Sequence, residues 1–322
     1  MHGFRLHARP NSWYEDRTRP PKVALPPRGA RRHFSFSSIL FPSHPLVPPG
    51  AHMAECIVVT SGKGGVGKTT TSANLAMGLA LTGKRVVVVD ADIGLRNLDV
   101  ILGLENRIVY DLVQVVQGDC KLRQALIRDK RVEGLFLLPA AQKCDKSAVN
   151  PDQMKALVEE LKAEHDYVII DCPAGIEQGF RNSLAGADRA LIVTTPEVSA
   201  IRDADRVVGL IDSAGLPEPR LIINRYRPGM VHRGDMLDRD DIHEILHVPL
   251  IGIVPESEDV VISSNRGQPL VLDEMSQVGG AYRRIVRRVL GEELAIPSFD
   301  IDSGYWAVFK RWMGLSTNQE VA

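Results

Sequence analysis

The sequence lacks both a long apolar run and a paired-cysteine motif. No hydrophobic stretch approaches the ~20 residues that a membrane-spanning helix needs, so we expect any membrane contact to be peripheral. The four cysteines are scattered: Cys56, Cys120, Cys144 and Cys172. Because no two of them form a Cys-x-x-Cys pair, the pattern argues against a metal-binding or disulfide framework and favours a reducing, cytoplasmic compartment.

The sequence also lacks an excess of charge of either sign. Its 322 residues include 39 Lys and Arg and 40 Asp and Glu, a formal net charge of −1, which gives no overall preference for nucleic acid but leaves room for a local basic patch. Hydrophobic residues make up 44% and charged residues 25%, which are ordinary values for a globular protein. The composition therefore excludes a fibre and a wholly disordered chain, and the length allows one large domain or two small ones.

Residues 1–52 differ from the rest in composition. They contain three proline pairs and several arginines but few periodic apolar positions, so we expect this segment to form no packed core. Two interpretations stay open. Met53 directly precedes the first predicted strand and is a natural start if the upstream reading frame is over-extended. Alternatively, the basic, serine-containing segment is a chloroplast transit peptide, although its prolines, Glu15 and Asp16 argue against one.

The domain predicted over residues 53–297 alternates strand-like and helical segments. The strand-like runs, rich in Val, Ile and Leu, are 56–60, 86–90, 135–138, 167–171, 190–194, 220–224 and 250–254. The helical stretches between them include 151–164, 198–213, 238–247 and 275–290. This alternation predicts an α/β fold, with a mostly parallel sheet, helices on both faces and ligand sites at the carboxyl ends of the strands.

A phosphate-binding loop follows the first predicted strand. Residues 62–69 match the pattern G-x-x-x-x-G-K-[ST], and a helical pattern begins at Thr69. Glycines let backbone N–H groups close around phosphate oxygens at a helix N-terminus, where the dipole favours negative charge. We predict that Lys68 contacts the β- and γ-phosphates of ATP and that the Thr69 hydroxyl binds Mg²⁺. The predicted nucleotide-binding residues of the loop are Gly62, Gly64, Gly65, Val66, Gly67, Lys68, Thr69 and Thr70.

Acidic residues stand at the ends of two later strand-like runs. Asp90 and Asp92 close the second run, and Asp171 closes the run 167–171. The place of Asp171 is that of a Walker B aspartate, which would hold Mg²⁺ through a water because this ion keeps part of its hydration shell. For Asp90 or Asp92 taken alone, capping of the following segment is an alternative role.

A second loop lysine, Lys63, stands at a position that the general pattern leaves free. With this lysine, the loop resembles that of the deviant Walker A (ParA/MinD) family of P-loop ATPases. The resemblance implies that Lys63 reaches across a dimer interface and counters charge on the partner's transferring phosphoryl group. The alternative is a solvated loop lysine. The resemblance also implies that Asp92 positions the attacking water, that Asp90 helps to organise the magnesium shell, and that Gly175 belongs to a switch segment.

Within that family, the similarity is strongest to the branch that positions the bacterial division site. It covers residues 55–291 nearly end to end, and its segments include 92–99, 171–177, 196–199, 224–226, 233–236 and 252–256. It implies that Asn224, beside Arg225, reads adenine, and that Pro255 and Glu256 flank the ring and the ribose. It further implies an ATP-bound homodimer that recruits a MinC-like division inhibitor and responds to a MinE-like activator. A backbone-capping role for Asn224 stays open.

The C-terminal segment carries a signal that does not depend on this resemblance. After a linker at 298–304, residues 305–315 place aromatic and aliphatic side chains on one half of a helical wheel, with Lys310 and Arg311 on the other half. Aromatic residues suit the acyl boundary and cations suit anionic headgroups, so we expect a membrane-targeting helix at the inner face of the cell membrane. A helix docked on its own domain is the alternative. A polar tail follows at 316–322.

Together these patterns predict a Mg²⁺-dependent ATPase that dimerises with ATP and binds membranes reversibly. One helix of about three turns binds a bilayer weakly, whereas two linked helices gain from effective concentration. Two other functions stay open: a DNA-partitioning ATPase, which would need a basic surface and no lipid anchor, and a flagellar-number regulator. An iron–sulfur scaffold of the family would need a Cys-x-x-Cys pair, which the sequence lacks.

Overall fold

The strands form where the sequence has near-continuous runs of Val, Ile and Leu. The computed structural model describes residues 54–297, in which eight strands form one sheet. The strands are β1 (Glu55–Thr60), β2 (Val86–Asp90), β3 (Ile127–Arg128), β4 (Leu135–Leu138), β5 (Tyr167–Asp171), β6 (Arg189–Thr194), β7 (Arg220–Tyr226) and β8 (Leu250–Pro255). All of them except the two-residue β3 match runs predicted from the sequence.

Helices connect the strands. They are α1 (Lys68–Leu81), α2 (Leu98–Leu102), α3 (Leu112–Gln117), α4 (Leu122–Ala125), α5 (Pro151–Lys162), α6 (Gln178–Leu184), α7 (Val198–Ser213), α8 (Pro228–His232), α9 (Arg239–Leu246), α10 (Asp259–Asn265) and α11 (Gln277–Val289). Short 3₁₀ turns occur at Glu105–Arg107, Lys146–Ala148 and Leu270–Leu272. Local sequence sets these bounds, as in α5, where the Asn150 side chain accepts from the N–H of Gln153 and Pro151 opens the first turn.

The sheet has the strand order β3-β4-β2-β5-β1-β6-β7-β8. Every neighbouring pair is parallel except β3 with β4, which pair antiparallel at the edge of the sheet. Two residues are too few to show a pattern, so the sequence could not predict β3. The chain winds outward from β1 in both directions, which leaves a crevice at the carboxyl ends of the central strands.

Both faces of the sheet are covered by helices, and successive strand residues point to opposite faces. Along β1, Cys56 and Val58 belong to an apolar core with α5, α6, α7 and α9. Ile57 and Val59 belong to a second core with α1, α2 and α11. Because both faces are buried, the central strands are apolar at nearly every position, as the sequence shows.

Helices α1 and α11 pack closely on the second core. A Cβ atom added at Gly78 of α1 would lie 2.6 Å from Cγ2 of Val286, so the two helices approach at this glycine. The hydroxyl groups of Thr71 and Tyr282 lie 3.1 Å apart and link the same helices. The helix that begins at the phosphate-binding loop therefore packs against the last helix of the described chain.

The predicted fold class, a mostly parallel α/β sheet with helices on both faces, is confirmed. Within residues 54–297 no helix combines the length and apolar character needed to cross a bilayer. The predicted N-terminal extension (1–52), linker (298–304), amphipathic helix (305–315) and polar tail (316–322) lie outside the described residues.

A pair of neighbouring glycines in α11 tests this packing. An added Cβ at Gly279 would lie 2.2 Å from the carbonyl oxygen of Leu270 and 2.8 Å from that of Asp273, whereas at Gly280 the nearest atom is 3.5 Å away. We expect Gly279→Ala to lower the free energy of unfolding by about 1–3 kcal/mol through overpacking. Gly280→Ala should leave it unchanged or raise it by up to about 1 kcal/mol through helix propensity.

Urea unfolding of the two variants measures these free energies, provided that the slope with urea stays constant. Equal stability of the two variants would contradict the described packing of α11.

Candidate nucleotide-binding site

The loop between β1 and α1 is shaped by glycines. Gly65 and Gly67 adopt left-handed backbone angles, with φ of 77° and 100°. Gly67 directly precedes α1 and offers no side-chain cap, and the first turn of α1 carries no acidic residue. The N–H groups at this helix end are thus left for another acceptor, and a helix N-terminus in this form is suited to phosphate.

The other loop residues have distinct surroundings. Val66 is buried in the second apolar core, and Thr70 lies in the first turn of α1. A Cβ added at Gly64 would lie 3.7 Å from the Cβ of Ala174, so the predicted switch segment around Gly175 lies against the loop. Gly175 itself has a φ of 95°, a conformation that favours glycine.

Lys68 is buried under the loop. Its Nζ donates a hydrogen bond of 2.9 Å to Oγ of Ser61. Its charge also lowers the pKa of Asp171, so the ammonium group lies close to that carboxylate. A buried cation in this position can meet the negative charge of a phosphate bound in the loop.

Asp171 ends β5 and is almost fully buried. Its carboxylate accepts from the hydroxyl groups of Thr69 and Ser72, the latter at 2.8 Å. Burial raises its pKa to about 6, although the two hydroxyl groups and Lys68 act in the opposite direction. The predicted magnesium residues Thr69 and Asp171 are thus in contact.

Asp90 lies beside Asp171 because β2 and β5 pair with these two residues in register. It is buried, and its carboxylate accepts from the N–H groups of Asp92 at 3.0 Å and Leu98 at 3.3 Å. Burial, and then the charge of Asp171, raise the pKa of Asp90 to about 7. Two neighbouring carboxyl groups in a buried site disfavour each other's ionisation, and a divalent cation would remove that conflict.

The donor set fits Mg²⁺, which prefers oxygen ligands. Carboxylate oxygens of Asp90 and Asp171 and the hydroxyl of Thr69 come together here. Within residues 54–297 no group of three His, Cys, Asp or Glu side chains is arranged to hold a metal ion.

Asp92 lies next to this pair and is half-buried. Its Oδ1 atom is buried and has no hydrogen-bond partner among the described residues. Buried polar atoms are normally paired, so this oxygen fits a site that receives a donor such as a water molecule. Its role in positioning the attacking water stays a prediction.

Lys63, unlike the buried Lys68, is exposed. Its Nζ donates to Oγ of Ser199 in α7 at 3.2 Å. A Cβ added at Gly62 would lie 2.2 Å from the carbonyl oxygen of Asp203, so α7 packs directly on the start of the loop. The structure therefore separates the two loop lysines, one buried and one at the surface.

Asn224 is the last of four consecutive buried residues in β7 and lies against the loop. Its Nδ2 donates to the carbonyl of Val66 at 2.7 Å, and a Cβ added at Gly67 would lie 2.2 Å from the same nitrogen. The side chain is thus bonded to the loop in this structure. Its reading of adenine stays a prediction.

The other predicted base-site residues lie at the outer rim. Arg225, with a φ of 55°, and Glu256 line a cleft of about 580 Å³ together with residues of α7, α8 and the turn that follows α8. Arg227 forms an ion pair with Glu256 and lowers its pKa. Pro255 ends β8 and pairs with Tyr226. Neither Asn224 nor a residue of the phosphate-binding loop lines this cleft, so a joint role of these residues in binding the base stays a prediction.

Sequence reasoning missed four contacts of this site: those of Ser61, Ser72, Ser199 and the main chain of Asp203. Ser72 carried a usable signal, because it stands three residues after Thr69 and so shares its face of α1. The other three contacts join residues far apart in the chain or in a loop of irregular backbone, and a single sequence gives no signal for them.

Known proteins are similar to this chain along most of its length. Residues 54–215 match the family described as an AAA domain. The septum site-determining protein MinD of Bacillus subtilis (strain 168) is 54% identical over 266 residues, which cover 82% of this chain and 99% of that protein. A chain in the MinC:MinD cell division protein complex of Aquifex aeolicus is 48% identical with a TM-score of 0.72, covering 77% of this chain and 100% of that chain.

A third similar protein was solved with a nucleotide. The septum site-determining protein MinD of Pyrococcus horikoshii, complexed with Mg-ADP, is 30% identical with a TM-score of 0.68, covering 74% of this chain and 96% of that chain. The similarities span nearly the whole of these proteins and include the loop, the acidic strand ends and the sheet described above. The chain therefore belongs to the MinD family of septum site-determining P-loop NTPases.

Proposed function

We propose that this protein hydrolyses ATP to ADP and phosphate with Mg²⁺, dimerises when ATP is bound, and associates with the inner face of the cell membrane. There it would help to place the division site by recruiting a MinC-like inhibitor and responding to a MinE-like activator. The observation that supports this most is the pairing of Asp90 with Asp171 beside Thr69 and the buried Lys68.

The roles of the residues follow from their surroundings. Lys68 would contact the β- and γ-phosphates, and Thr69, Asp90 and Asp171 would hold Mg²⁺ directly or through water. The ion, when bound, would neutralise charge on the phosphate oxygens. Asp92, with its unpaired buried Oδ1, would orient the attacking water. Asn224, Arg225, Pro255 and Glu256 would receive the adenosine.

The surface around the loop favours dimerisation. Lys63 is exposed, and so are three apolar side chains: Leu95 in the turn after Asp92, Ile176 directly after Gly175, and Val198 at the start of α7. Exposed apolar residues around a catalytic loop suit a protein interface. A second copy placed there would bring its own Lys63 toward the bound nucleotide and cover this apolar rim.

Membrane association would depend on residues 305–315, which lie outside the described residues. Each helix alone would bind weakly, and the dimer would join two of them. ATP binding would therefore favour the membrane-bound form, and hydrolysis would release it. The Aquifex aeolicus structure is a MinC:MinD complex, which supports a MinC-like partner here. Helix α7, with Arg202, Asp203 and Asp205, is the candidate surface for such regulators.

Alanine substitutions of the two loop lysines should have different effects on nucleotide binding and turnover. Lys68→Ala removes the buried cation and should abolish nucleotide binding. Lys63→Ala leaves the buried cluster intact, so nucleotide should still bind, but ATP-dependent dimerisation should be lost and turnover should fall at least about 10²-fold, as for other charge-stabilising groups supplied in trans. Light scattering in the presence of ATP measures dimerisation, and the rate of phosphate release measures turnover. A Lys63→Ala protein that dimerises and turns over normally would rule out a trans-acting role.

The raised carboxyl pKa values predict a pH dependence of magnesium binding. Because the folded-state pKa values, about 7 for Asp90 and about 6 for Asp171, exceed the unfolded value of about 3.9, the fold favours the protonated groups. Their contribution to stability is full below about pH 4 and is lost as pH rises through those two values. Mg²⁺ takes the ionised carboxylates, so Mg-nucleotide affinity should rise over the same range, with proton release.

Titration calorimetry near pH 6, in two buffers of different ionisation enthalpy, measures the released protons. Nucleotide binding in the presence of a chelator serves as the control and should release fewer protons. The absence of proton release at any pH between about 5 and 8 would show that these carboxyl groups do not meet the metal ion.

One substitution in each half of the 305–315 helical wheel tests the predicted membrane segment. Trp312 lies in the apolar half of the 305–315 wheel, so Trp312→Glu puts a charge at the acyl boundary and should abolish co-sedimentation with anionic vesicles. Ala307→Gln changes the polar half and should retain binding. Basal turnover without lipid should be the same in both variants. If the wild type never binds vesicles and Trp312→Glu unfolds the domain, the segment is a docked part of the core instead.

A further inference from the structure

Helix α11 carries four arginines and no acidic residue. They form two i,i+4 pairs, Arg283 with Arg287 and Arg284 with Arg288, and so lie in one stripe along the helix. The apolar positions of α11 are buried in the second core, whereas all four arginines are partly exposed. We call these four residues the α11 arginine stripe.

Three of the four guanidinium groups have no carboxylate partner in residues 54–297. Arg283 donates to main-chain carbonyl groups, those of Val271, Asp273 and Glu274. Arg288 likewise donates to the main-chain carbonyl groups of Ile251, Leu294 and Ala295. Arg284 has neither a hydrogen-bond partner nor an ion-pair partner there, and Arg287 alone pairs with a carboxylate, that of Glu292, at 2.6 Å. Carbonyl groups satisfy N–H donors but leave the positive charge in place.

The charges of the stripe act against one another. Burial lowers the pKa of Arg288, and the charges of Arg284 and Arg287 lower it further. Burial also lowers the pKa of Arg284. Acidic residues stand before and after the helix, at 273–274 and 292–293, but not along it. The charges of Glu274 and Asp273 act on Arg283, and Glu292 pairs with Arg287, but no such carboxylate acts on Arg284 or Arg288. An anion placed over the stripe would therefore relieve repulsion at these last two residues.

The chain leaves α11 beside this stripe. The Arg288 guanidinium donates to the carbonyl of Ala295 at 2.7 Å and so holds the following segment against the helix. Beyond Pro297, the linker 298–304 reaches at most about 25 Å when fully extended. The predicted membrane helix at 305–315 thus begins within about 25 Å of the place where the described chain ends, next to α11.

We propose that the α11 arginine stripe binds the anionic headgroups of the membrane that receives residues 305–315. The inference rests on the proposed membrane function and adds a second contact to it. The 305–315 helix supplies apolar insertion, and the stripe supplies charge on the folded domain itself, since the net charge of −1 gives no general attraction. Two contacts on each subunit fix which face of the domain turns toward the bilayer, which a single helix at the end of a linker does not.

The test uses the full chain with ATP, Mg²⁺ and vesicles of phosphatidylglycerol and phosphatidylcholine. Arg284→Gln removes one charge without breaking a described contact and should weaken vesicle binding about five-fold per subunit, the effect of one cation near an anionic surface. Arg284→Lys keeps the charge and should bind as the wild type does. Arg206→Gln on α7, which covers the opposite face of the sheet, removes the same net charge and should also bind normally.

Each outcome bears on the inference. The difference between wild type and Arg284→Gln should vanish at about 1 M salt, where the screening length is about 3 Å. Equal vesicle binding of these two proteins at physiological salt would overturn the inference, as would an equal loss in Arg206→Gln. Weaker retention of Arg284→Gln on double-stranded DNA, with vesicle binding unchanged, would show a nucleic-acid contact instead.

The outcomes also separate this inference from the proposed function. Basal turnover without vesicles should be the same in every variant, which shows that the domain is folded. A wild-type protein that binds no vesicles overturns the membrane function and the stripe together. A wild type that binds, with loss in Trp312→Glu but not in Arg284→Gln, overturns the stripe alone.

Discussion

The placement of two carboxyl groups side by side in a buried site governs the rest of the nucleotide site. Parallel pairing of β2 with β5 brings Asp90 next to Asp171, and burial raises both pKa values. The surrounding groups offset only part of this cost: hydroxyl groups and Lys68 at Asp171, and main-chain N–H groups at Asp90. A bound cation would remove the remaining cost, which supports the proposed magnesium site at these strand ends.

Two further elements, α7 and β7, pack on the loop that lies beside these carboxylates. Gly62 meets the main chain of Asp203 in α7, and Gly67 meets the side chain of Asn224 from β7. A side chain at either glycine would overlap these atoms, so the loop packs tightly on both neighbours at these two positions. Helix α7 also bonds to Lys63 and has an exposed side. A protein that binds α7 would therefore act on the loop through direct contact.

The sequence was sufficient for the fold class and for the residues that follow strand ends. The patterns of Val, Ile and Leu predict seven of the eight strands, and the loop motif places Lys68 and Thr69 at the junction of the loop with α1. It was insufficient where contacts join distant segments, as with Asn224 and Val66 or Lys63 and Ser199. Those contacts depend on how helices and strand ends meet in three dimensions, which periodicity does not encode.

The packing of α1 on α11 connects the nucleotide-binding loop to the C-terminal end of the described chain. Helix α1 begins at Lys68, and its Gly78 allows Val286 of α11 to approach closely. The hydroxyl contact between Thr71 and Tyr282 fixes them at a second point. Helix α11 in turn holds the chain that leads to residues 305–315. Direct contacts therefore connect the nucleotide-binding loop, through α1 and α11, to the last described segment of the chain.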